Sequence, residues 1–461
     1  MAKRIYLCLA HMSEAGLEQK YIKEAFDTNW VVPLGPNVNA FEEELRHFVT
    51  SNDNVNVNDN QGRQVVALAS GTAAVHLALI ACGVGPGDEV VVQSFTFCAS
   101  SHPITYLGAK PVFVDSEPET WNMDPELLEV AIKDRIAKTG RKPKAIIPVY
   151  LYGMPGKIDE LMAVARKYDI PVIEDAAEGF GSRYKGQVCG TFGDYGVLSF
   201  NGNKMITTSG GGALICPDQA AKEKIMWLAT QAREAYPYYQ HEAVGYNYRL
   251  SNVCAGIGRG QMTVVNDHIA RHREIARMYE EAFRDVEGIT YHKELAYPQP
   301  LPEGRGEVPL MESNYWLSTI LLDEKLKVKG EELAYAEAVQ GAVGGAAGVV
   351  HGGGTVHTDC EPNRNVEALR IALDKEGIES RPLWKPMHKQ PVYRKIENGK
   401  LKIENLPDGV VCQTSASSVA YVNGVAEALF KRGLCLPSGP MVTDEDVKRI
   451  IEVIKLNVNT I

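Results

Sequence analysis

One lysine in the sequence directly follows a predicted strand and stands among small polar residues. Lys204 comes after the apolar run 197–200 and shortly before the glycine run 210–212. A lysine whose amine is kept neutral can form a Schiff base, and glycines let a backbone approach a ligand closely. A single lysine after a strand is more often a solvated surface residue, so the segment alone leaves both interpretations open.

A short run of small residues has the form of a phosphate-binding turn. Ser70, Gly71 and Thr72 stand between an apolar run, 65–68, and a helical stretch, 73–82. The free backbone N–H groups at a helix N-terminus, together with two hydroxyl groups, suit a phosphate. Because Ser and Thr cap helices routinely, a plain N-cap is the alternative interpretation.

Asp175 and an aromatic-rich segment, 94–97, add two further parts. Asp175 ends the predicted strand 171–174, where a buried carboxylate must be paired or hydrogen-bonded. It either partners a protonated heterocycle nitrogen or bonds the amides of its own loop. A phosphate turn, a stacking ring, an acid for a pyridinium nitrogen and a Schiff-base lysine are the parts of a pyridoxal phosphate (PLP) site. Their order along the chain favours such a site over the separate structural interpretations.

These parts need a sheet that brings their strands to one edge. Strand–helix alternation predicts a mostly parallel sheet with helices on both faces, and ligands bind beyond the carboxyl ends of such strands. Nearly continuous Val/Ile runs are typical of strands buried on both faces. The fold class is therefore expected to be α/β. The predicted strands are 65–68, 89–92, 111–114, 145–149 and 171–174, and the helices include 73–82, 126–132 and 158–168.

The alternation changes after residue 270, where long helical stretches flank shorter strand candidates. We predict a PLP-binding large domain over residues 1–270 and a smaller C-terminal α/β domain over residues 271–461. Three stretches have the character of inserts, namely residues 51–61, 326–363 and 396–425.

Composition and charge exclude several classes of protein. The 461 residues carry 48 Lys and Arg against 58 Asp and Glu, a net charge of −10, which argues against nucleic acid or an anionic membrane as the main partner. The longest stretch of small apolar residues, 338–350, is far too short to span a membrane. Nine cysteines without CxxC spacing indicate reduced thiols in a cytosolic protein. His351, His357 and Cys360 have no well-spaced fourth ligand, so no metal site is expected.

The chain resembles the DegT/DnrJ/StrS family of sugar aminotransferases, which are fold-type I PLP enzymes. The resemblance covers nearly the whole chain outside the three inserts. Its motifs are Asn-Trp-Val-Val-Pro-Leu-Gly-Pro at 29–36, Ser-Gly-Thr-Ala-Ala at 70–74, Ile-Glu-Asp-Ala-Ala-Glu at 173–178, the segment 199–212, Gly-Tyr-Asn-Tyr-Arg at 245–249 and Arg-Pro-Leu-Trp-Lys-Pro-Met-His at 381–388.

This resemblance implies a role for each residue of the cofactor site. Lys204 is the implied Schiff-base lysine and proton carrier, and Asp175 the implied partner of the pyridinium nitrogen. Phe97 is expected to stack on the ring, and Glu178 to lie near its phenolate side. The implied phosphate ligands are Gly71, Thr72, Ala73 and Ser199.

The family also implies a homodimer whose active sites are shared between subunits. Asn247 and Arg249 resemble the loop that a neighbouring subunit contributes to the phosphate. Five further residues match family regions that line the sugar-nucleotide cleft: Asn29, Trp30, Trp384, Met387 and His388. The alternative for the two tryptophans is a place in the core at the domain interface.

The resemblance also indicates a reaction and a class of substrate. The family contains dehydratases with His in place of the Schiff-base lysine, so Lys204 favours transamination. The expected reaction is amination at C4 of a 4-keto-6-deoxy nucleotide sugar that is UDP-linked and derived from GlcNAc. L-glutamate is the expected amino donor and 2-oxoglutarate its product. A GDP-perosamine-type aminotransferase, a PLP-dependent sugar dehydratase and a non-enzymatic ligand-binding relative remain alternatives.

Overall fold

The computed structural model describes residues 4–51, 62–295, 309–329, 360–394 and 401–459. Its helices are α1 (Leu17–Asp27), α2 (Pro36–Thr50), α3 (Gly71–Ala81), α4 (His102–Tyr106), α5 (Pro125–Thr139), α6 (Ile158–Tyr168), α7 (Gln219–Ala229), α8 (Asn252–Met262), α9 (Val265–Phe283), α10 (Arg364–Lys375), α11 (Val425–Arg432) and α12 (Asp444–Asn457). The first nine strands are β1 (Gln64–Leu68), β2 (Glu89–Gln93), β3 (Lys110–Val114), β4 (Ile146–Ile147), β5 (Ile173–Asp175), β6 (Arg183–Tyr184), β7 (Gln187–Val188), β8 (Tyr195–Ser199) and β9 (Gly212–Cys216). The later strands are β10 (Ile289–Tyr291), β11 (Met311–Glu312), β12 (Ser318–Leu322), β13 (Lys327–Val328), β14 (Arg381–Pro382), β15 (Lys402–Asn405), β16 (Val411–Thr414), β17 (Val419–Val422), β18 (Gly433–Leu436) and β19 (Val458–Asn459).

A central sheet joins the strands of the first half of the chain. β2 pairs in parallel with both β3 and β4, and β5 pairs in parallel with β8. Bridges from Ile146 to Val172 and from Val149 to Asp175 continue the sheet from β4 to β5, and β9 runs antiparallel to β8 and β1. The order β3-β2-β4-β5-β8-β9-β1 confirms the predicted, mostly parallel α/β sheet.

Successive residues of β2 show that helices cover both faces of this sheet. Val90 and Val92 belong to the same buried cluster as Ala74 of α3, whereas Val91 belongs to the cluster of Leu128 in α5. Because successive side chains of a strand point to opposite faces, α3 and α5 lie on opposite sides of the sheet.

Three predicted site residues lie at the ends of strands, or just beyond them, at the same edge of the sheet. β1 and β8 are both antiparallel to β9, so they run in the same direction, and β5 runs parallel to β8. Gly71 begins α3 shortly after β1, while Asp175 ends β5 and Ser199 ends β8. The edge expected to bind a ligand therefore carries all three residues.

A second, antiparallel sheet lies in the later part of the chain. Its order is β10-β12-β18-β14. Ile320 of this sheet is in one buried cluster with Ile275 of α9, Leu369 of α10 and Ile450 of α12. This second sheet is relevant to the candidate site because the segment just before β12 contacts Lys204, as described below.

Residues 402–422 differ from the sequence expectation. The sequence indicates an insert of the smaller domain over 396–425, but the chain forms β15, β16 and β17 there, and β17 pairs in parallel with β3. These strands extend the central sheet beyond β3. The sequence contains no sign of these strands, because pairing with a strand far back in the chain leaves no local periodic signal.

Some sequence predictions fall outside the described residues. They are most of the inserts 51–61 and 326–363, and the residues His351 and His357. Cys360 is described, and its thiol is buried and unpaired. Within the described ranges, no helix combines the length and the apolar character that a membrane span requires.

Candidate active site

Lys204 lies in the loop between β8 and β9, and its amine is enclosed. The backbone N–H of Lys204 donates to the carbonyl of Asn201 at 3.0 Å, which fixes a tight turn. The side chain is 12% exposed, and its Nζ lies 3.4 Å from Glu178 Oε1. On another side, Nζ lies 4.0 Å from the ring centroid of Trp316. Lys204 is therefore not the solvated surface lysine of the alternative interpretation.

Glu178 is a buried carboxyl group beside this amine. Its Oε2 accepts a hydrogen bond of 2.7 Å from the backbone N–H of Tyr152. Burial raises the pKa of Glu178 to about 7, although the nearby charge of Lys204 acts in the opposite direction. Glu178 can therefore hold or release a proton near neutral pH while it stays in contact with Lys204.

Asp175 is buried at the carboxyl end of β5 and is held on both oxygens. Ser100 Oγ donates to Oδ2 at 2.6 Å, and the backbone N–H of Ala177 donates to Oδ1 at 3.1 Å. Thr96 Oγ1 lies 2.7 Å from Ser100 Oγ, which extends the network. Burial raises the pKa of Asp175, and the hydrogen bonds from Ser100 and Ala177 oppose that shift. A protonated ring nitrogen is a group that such a buried carboxylate stabilises.

The first turn of α3 has the form of a phosphate cradle. Ser70 Oγ accepts the N–H of Ala73 at 3.0 Å, so Ser70 is an N-cap as the alternative interpretation holds. The hydroxyls of Thr72 and Ser199 have no hydrogen-bond partner in the described ranges. A Cβ on Gly71 would lie 3.1 Å from Ser199 Cβ, which is tighter than most such contacts, so a larger residue would require a small shift between α3 and β8. Unpaired hydroxyls and backbone N–H groups around a narrow turn fit a phosphate.

Phe97 and Trp384 belong to a chain of aromatic rings that reaches Lys204. Phe97 is 53% exposed, and its ring centroid lies 5.4 Å from that of Trp384. The Trp384 ring in turn lies 5.3 Å from Tyr152 and 6.2 Å from Trp316. We call Phe97, Trp384, Tyr152 and Trp316 the aromatic wall. It runs from an exposed ring to the enclosed amine and offers flat surfaces to a ring-shaped ligand.

His388 and Met387 are buried beside the end of β2. His388 Nδ1 lies 2.6 Å from Ser94 Oγ, and burial lowers the pKa of His388 to about 3, so the imidazole is neutral. The backbone N–H of Met387 donates to the carbonyl of Ser94 at 2.8 Å, and its side chain packs in the core cluster of α3. The expectation that Met387 lines the cleft stays a prediction, although the side chain is packed in the core here.

Asn29 and Trp30 lie apart from this cluster. Asn29 is exposed, and Trp30 is 40% exposed, which excludes a core position for this tryptophan. The carbonyl of Trp30 accepts from Asn252 Nδ2 at 2.9 Å, which ties the segment to α8. No hydrogen bond or ring contact within the described ranges joins Asn29 or Trp30 to the aromatic wall or to Lys204.

Arg249 and Asn247 differ in their surroundings although they are close in sequence. Arg249 is 9% exposed, and its Nη1 donates to Glu42 Oε1 at 2.6 Å and to the carbonyl of Ala67 at 3.1 Å. The guanidinium of Arg249 thus forms a buried ion pair in its own chain, and its contact with a neighbouring subunit's phosphate stays a prediction. Asn247 is exposed and makes no side-chain hydrogen bond in the described ranges, so its role stays a prediction.

Three residues of this site are missed by sequence reasoning. Ser100 holds Asp175, Tyr152 contacts Glu178 through its backbone and Trp384 through its hydroxyl, and Trp316 covers Lys204. Trp316 and Tyr152 come from parts of the chain that no motif connects with Lys204. Ser100 lies close to the aromatic-rich segment 94–97, which is the one local signal that points to it.

Comparisons with known proteins agree with this geometry. The model of the DegT/DnrJ/EryC1/StrS aminotransferase family matches residues 13–346. A Bacillus subtilis protein that carries the name pyridoxal phosphate-dependent aminotransferase EpsN is 42% identical over 98% of this chain and 96% of its own length. GDP-perosamine synthase of Escherichia coli O157:H7 is 31% identical over 97% of this chain and 98% of its own length.

Solved structures show the same fold. The crystal structure of a DegT/DnrJ/EryC1/StrS aminotransferase from Brucella abortus matches with a TM-score of 0.72 and 26% identity, over 96% of this chain and 95% of that chain. The expectation of fold type I is thereby confirmed.

Proposed function

The chain belongs to the DegT/DnrJ/EryC1/StrS aminotransferase family, and from that premise we propose that it transfers an amino group from L-glutamate to C4 of a 4-keto-6-deoxy nucleotide sugar. The enzyme is a PLP-dependent sugar aminotransferase. The observation that carries the proposal is the enclosed amine of Lys204, which contacts Glu178 at the edge where β5 and β8 end in Asp175 and Ser199.

Each residue of the site has a task toward the cofactor. Bound PLP supplies an electron sink that makes a C–H bond beside the transferred amino group acidic. The amine of Lys204 binds the cofactor and, once free, moves the proton at Nζ. Asp175 holds the proton on the ring nitrogen through Oδ1 or Oδ2. The hydroxyls of Thr72 and Ser199 and the first turn of α3 bind the phosphate.

The carboxyl group of Glu178 and the aromatic wall complete the site. Glu178 can hold a proton next to Lys204, because its pKa is raised to about 7. The exposed Phe97 and the half-buried Trp384 offer apolar faces to the cofactor ring and to the flat parts of the substrate. His388 is buried behind this surface on Ser94, so we expect it to shape the cleft as a neutral imidazole.

A homodimer with shared sites is part of the proposal. Asn247 lies between Tyr246 and Tyr248, whose rings stack on each other at 5.0 Å and pack against His76 of α3. Because side chains alternate along an extended backbone, Asn247 points away from its own α3 and toward solvent. The exposed Trp30 supports an assembly in the same way, because a single chain leaves 40% of this residue exposed.

The identity of the nucleotide in the substrate is the most detailed part of the proposal. We infer a UDP-linked, GlcNAc-derived sugar from the family resemblance of Asn-Gly-Asn-Lys at 201–204, of Glu178 and of the stretch 384–388. A GDP-linked substrate is the second candidate, and the similarity to GDP-perosamine synthase over 97% of this chain favours it. We further propose a cytosolic location, which the nine unpaired cysteines support.

Mass spectrometry of the products tests this function. The protein is loaded with PLP and incubated with glutamate and a panel of UDP-, GDP- and dTDP-linked 4-keto sugars. An amino sugar that forms only with glutamate present is expected, together with 2-oxoglutarate in equal amount. Turnover of the sugar without an amino donor would instead indicate a dehydratase. A cofactor spectrum that glutamate leaves unchanged would favour a ligand-binding relative.

A further inference from the structure

Trp316 covers the amine of Lys204 from the side of the second sheet. It precedes β12 and is 2% exposed, and its ring centroid lies 4.0 Å from Lys204 Nζ. A cation within about 6 Å of the face of an indole is attracted by the ring quadrupole, and the attraction grows when water is excluded. The contact therefore favours a position of the Lys204 ammonium group against the face of the Trp316 ring.

The orientation of this indole is fixed by a bond close to Lys204. Trp316 Nε1 donates to the carbonyl of Asn203 at 2.6 Å, and Asn203 directly precedes Lys204. A buried indole N–H needs an acceptor, and here the acceptor is the residue before the lysine. The bond holds the ring and the backbone of Lys204 in one relative position.

A buried asparagine connects Trp316 with Glu178, the other group that contacts Lys204 Nζ. Asn314 Oδ1 accepts the backbone N–H of Trp316 at 2.9 Å. Asn314 Nδ2 donates to the carbonyl of Glu178 at 2.7 Å and to that of Phe180 at 2.9 Å. The carboxyl group and the indole around the amine are thus parts of one hydrogen-bonded unit, although they come from distant segments.

We propose that Trp316 is a positioning residue for Lys204, whose ammonium group it holds against Glu178 whenever the lysine is not bonded to the cofactor. This inference rests on the proposed role of Lys204. In a transamination cycle the amino donor would release the lysine, which would be bonded again only when the aminated product leaves, and a free lysine side chain has many rotamers. The Trp316 face and the Glu178 carboxyl limit that freedom, so the amine stays where it must next react.

The charged and titratable groups around the Lys204 amine affect any pH profile measured for it. Glu178 and Asp175 are the nearby carboxyl groups, and Cys8 of the N-terminal segment is a buried thiol that also senses the charge of Lys204. All three remain in a Trp316 variant. Trp316 also hydrogen-bonds the Cys8 thiol, so the fluorinated protein described below, which keeps the indole in place, identifies the part of a shift that comes from the ring face.

The test uses cofactor-free protein and measures covalent trapping at Lys204. The protein is mixed with PLP at a series of pH values and quenched with borohydride, and the peptide that contains Lys204 is quantified by mass spectrometry. In Trp316→Leu we expect the midpoint of the pH profile to lie about 0.5–1.5 pH units lower, because the ammonium form has lost its cation–π contact. Trp316→Phe keeps a weaker ring face and should shift the midpoint less.

Two further samples separate positioning from packing. Trp227→Leu removes an indole of α7 that packs against the core cluster of α3 and has no contact with Nζ, so its midpoint should equal that of the wild type. Wild-type protein made with increasingly fluorinated tryptophan keeps its shape while the ring quadrupole weakens, and its midpoint should fall stepwise. This sample also decides the matter if Trp316→Leu does not fold.

The outcomes distinguish this inference from the proposed function. An unchanged midpoint in both Trp316→Leu and the fluorinated protein would overturn the role of Trp316 and leave the proposed function intact. Label on a lysine other than Lys204 in the wild-type protein would overturn both, since Lys204 would then not be the reacting amine.

Discussion

The surroundings of Lys204 and those of Asn247 are two halves of one proposed site, and they differ in how complete they are. Lys204 is 12% exposed and contacts Glu178 and Trp316 within its own chain. Asn247 is exposed and makes no side-chain hydrogen bond in the described ranges, as is also true of Asn29. The same family resemblance implies a role for all three residues. A single chain therefore positions the reacting amine, whereas we propose that the outer contacts need a second chain.

The surroundings of Lys204, which are the enclosed half of the proposed site, are tested most severely by removing the amine. Lys204→Ala should lower transamination at least about a thousandfold, because both the covalent anchor and the proton carrier are lost. Product formation is measured by mass spectrometry, with folding checked by circular dichroism. Lys142→Ala is the matched control, since that lysine forms an exposed ion pair with Asp169. Lys204→Ala protein with a tenth of the normal activity would remove Lys204 from the chemistry.

Asp175→Asn tests the same half with a smaller expected loss. An amide cannot stabilise a pyridinium charge as a carboxylate does, and a buried charge-assisted hydrogen bond contributes about 1.5–3 kcal/mol, so a ten- to hundredfold fall in kcat is expected. The exposed Asp169→Asn is the control. Near-normal turnover by a folded Asp175→Asn protein would show that Asp175 only bonds its own loop.

The surroundings of Asn247, which are the open half of the proposed site, are tested by mixing two inactive variants. If Asn247 completes the site of a partner, Lys204→Ala and Asn247→Ala subunits should regain activity together. Half of the randomly formed dimers are hybrids with one intact site, so about a quarter of the wild-type activity is expected after subunit exchange. Exchange is confirmed with differently tagged subunits by native mass spectrometry. No regained activity despite exchange would place Asn247 in the site of its own chain.

The pH dependence of stability gives the smallest expected effect. The pKa of Glu178 is about 7 in the folded protein and 4.5 for a glutamate in water, so between these values the folded state keeps a proton that the unfolded state has lost. The free energy of unfolding then falls as pH rises, by at most about 1.4 kcal/mol per pH unit. Glu178→Gln cannot titrate and should remove this part of the slope.

Urea unfolding of the cofactor-free protein at several pH values checks this expectation. The difference in unfolding free energy between wild type and Glu178→Gln should change by about 1–3 kcal/mol from pH 4.5 to 7. Glu452→Gln, on the exposed side of α12, should show no such change. Parallel curves for wild type and Glu178→Gln would mean that folding leaves the pKa of Glu178 unchanged.

Short-range signals in the sequence predicted helix positions and helix ends, because these depend on neighbouring residues. The helix predicted over 126–132 lies within α5, where Asp124 is the N-cap and accepts the N–H groups of Glu126 and Leu127, and α6 has the predicted bounds, Ile158–Tyr168. Arg249 shows the limit of that reasoning. Its partner Glu42 lies in α2, and nothing near either residue indicates that they form an ion pair.

The site could be predicted where its residues follow strands and not where distant segments meet. Asp175 and Ser199 end strands of one sheet, so alternation brings them to one edge. Trp316 reaches Lys204 through the packing of the second sheet, and Met387 is turned into the core by a bond to Ser94. Long-range packing of this kind depends on the whole fold, which a motif does not contain.

The pairing of β17 with β3 has a consequence for the synthesis of the protein. β3 is made early, but the strand that covers its outer edge is encoded near the end of the chain. While the ribosome adds the residues between them, the N–H and C=O groups along that edge have no partner, and an open edge can pair with other nascent chains. Contacts of such high sequence separation also slow folding. The central sheet is therefore finished only after nearly all of the polypeptide has been translated, and a chain arrested before β17 exposes a surface prone to aggregation.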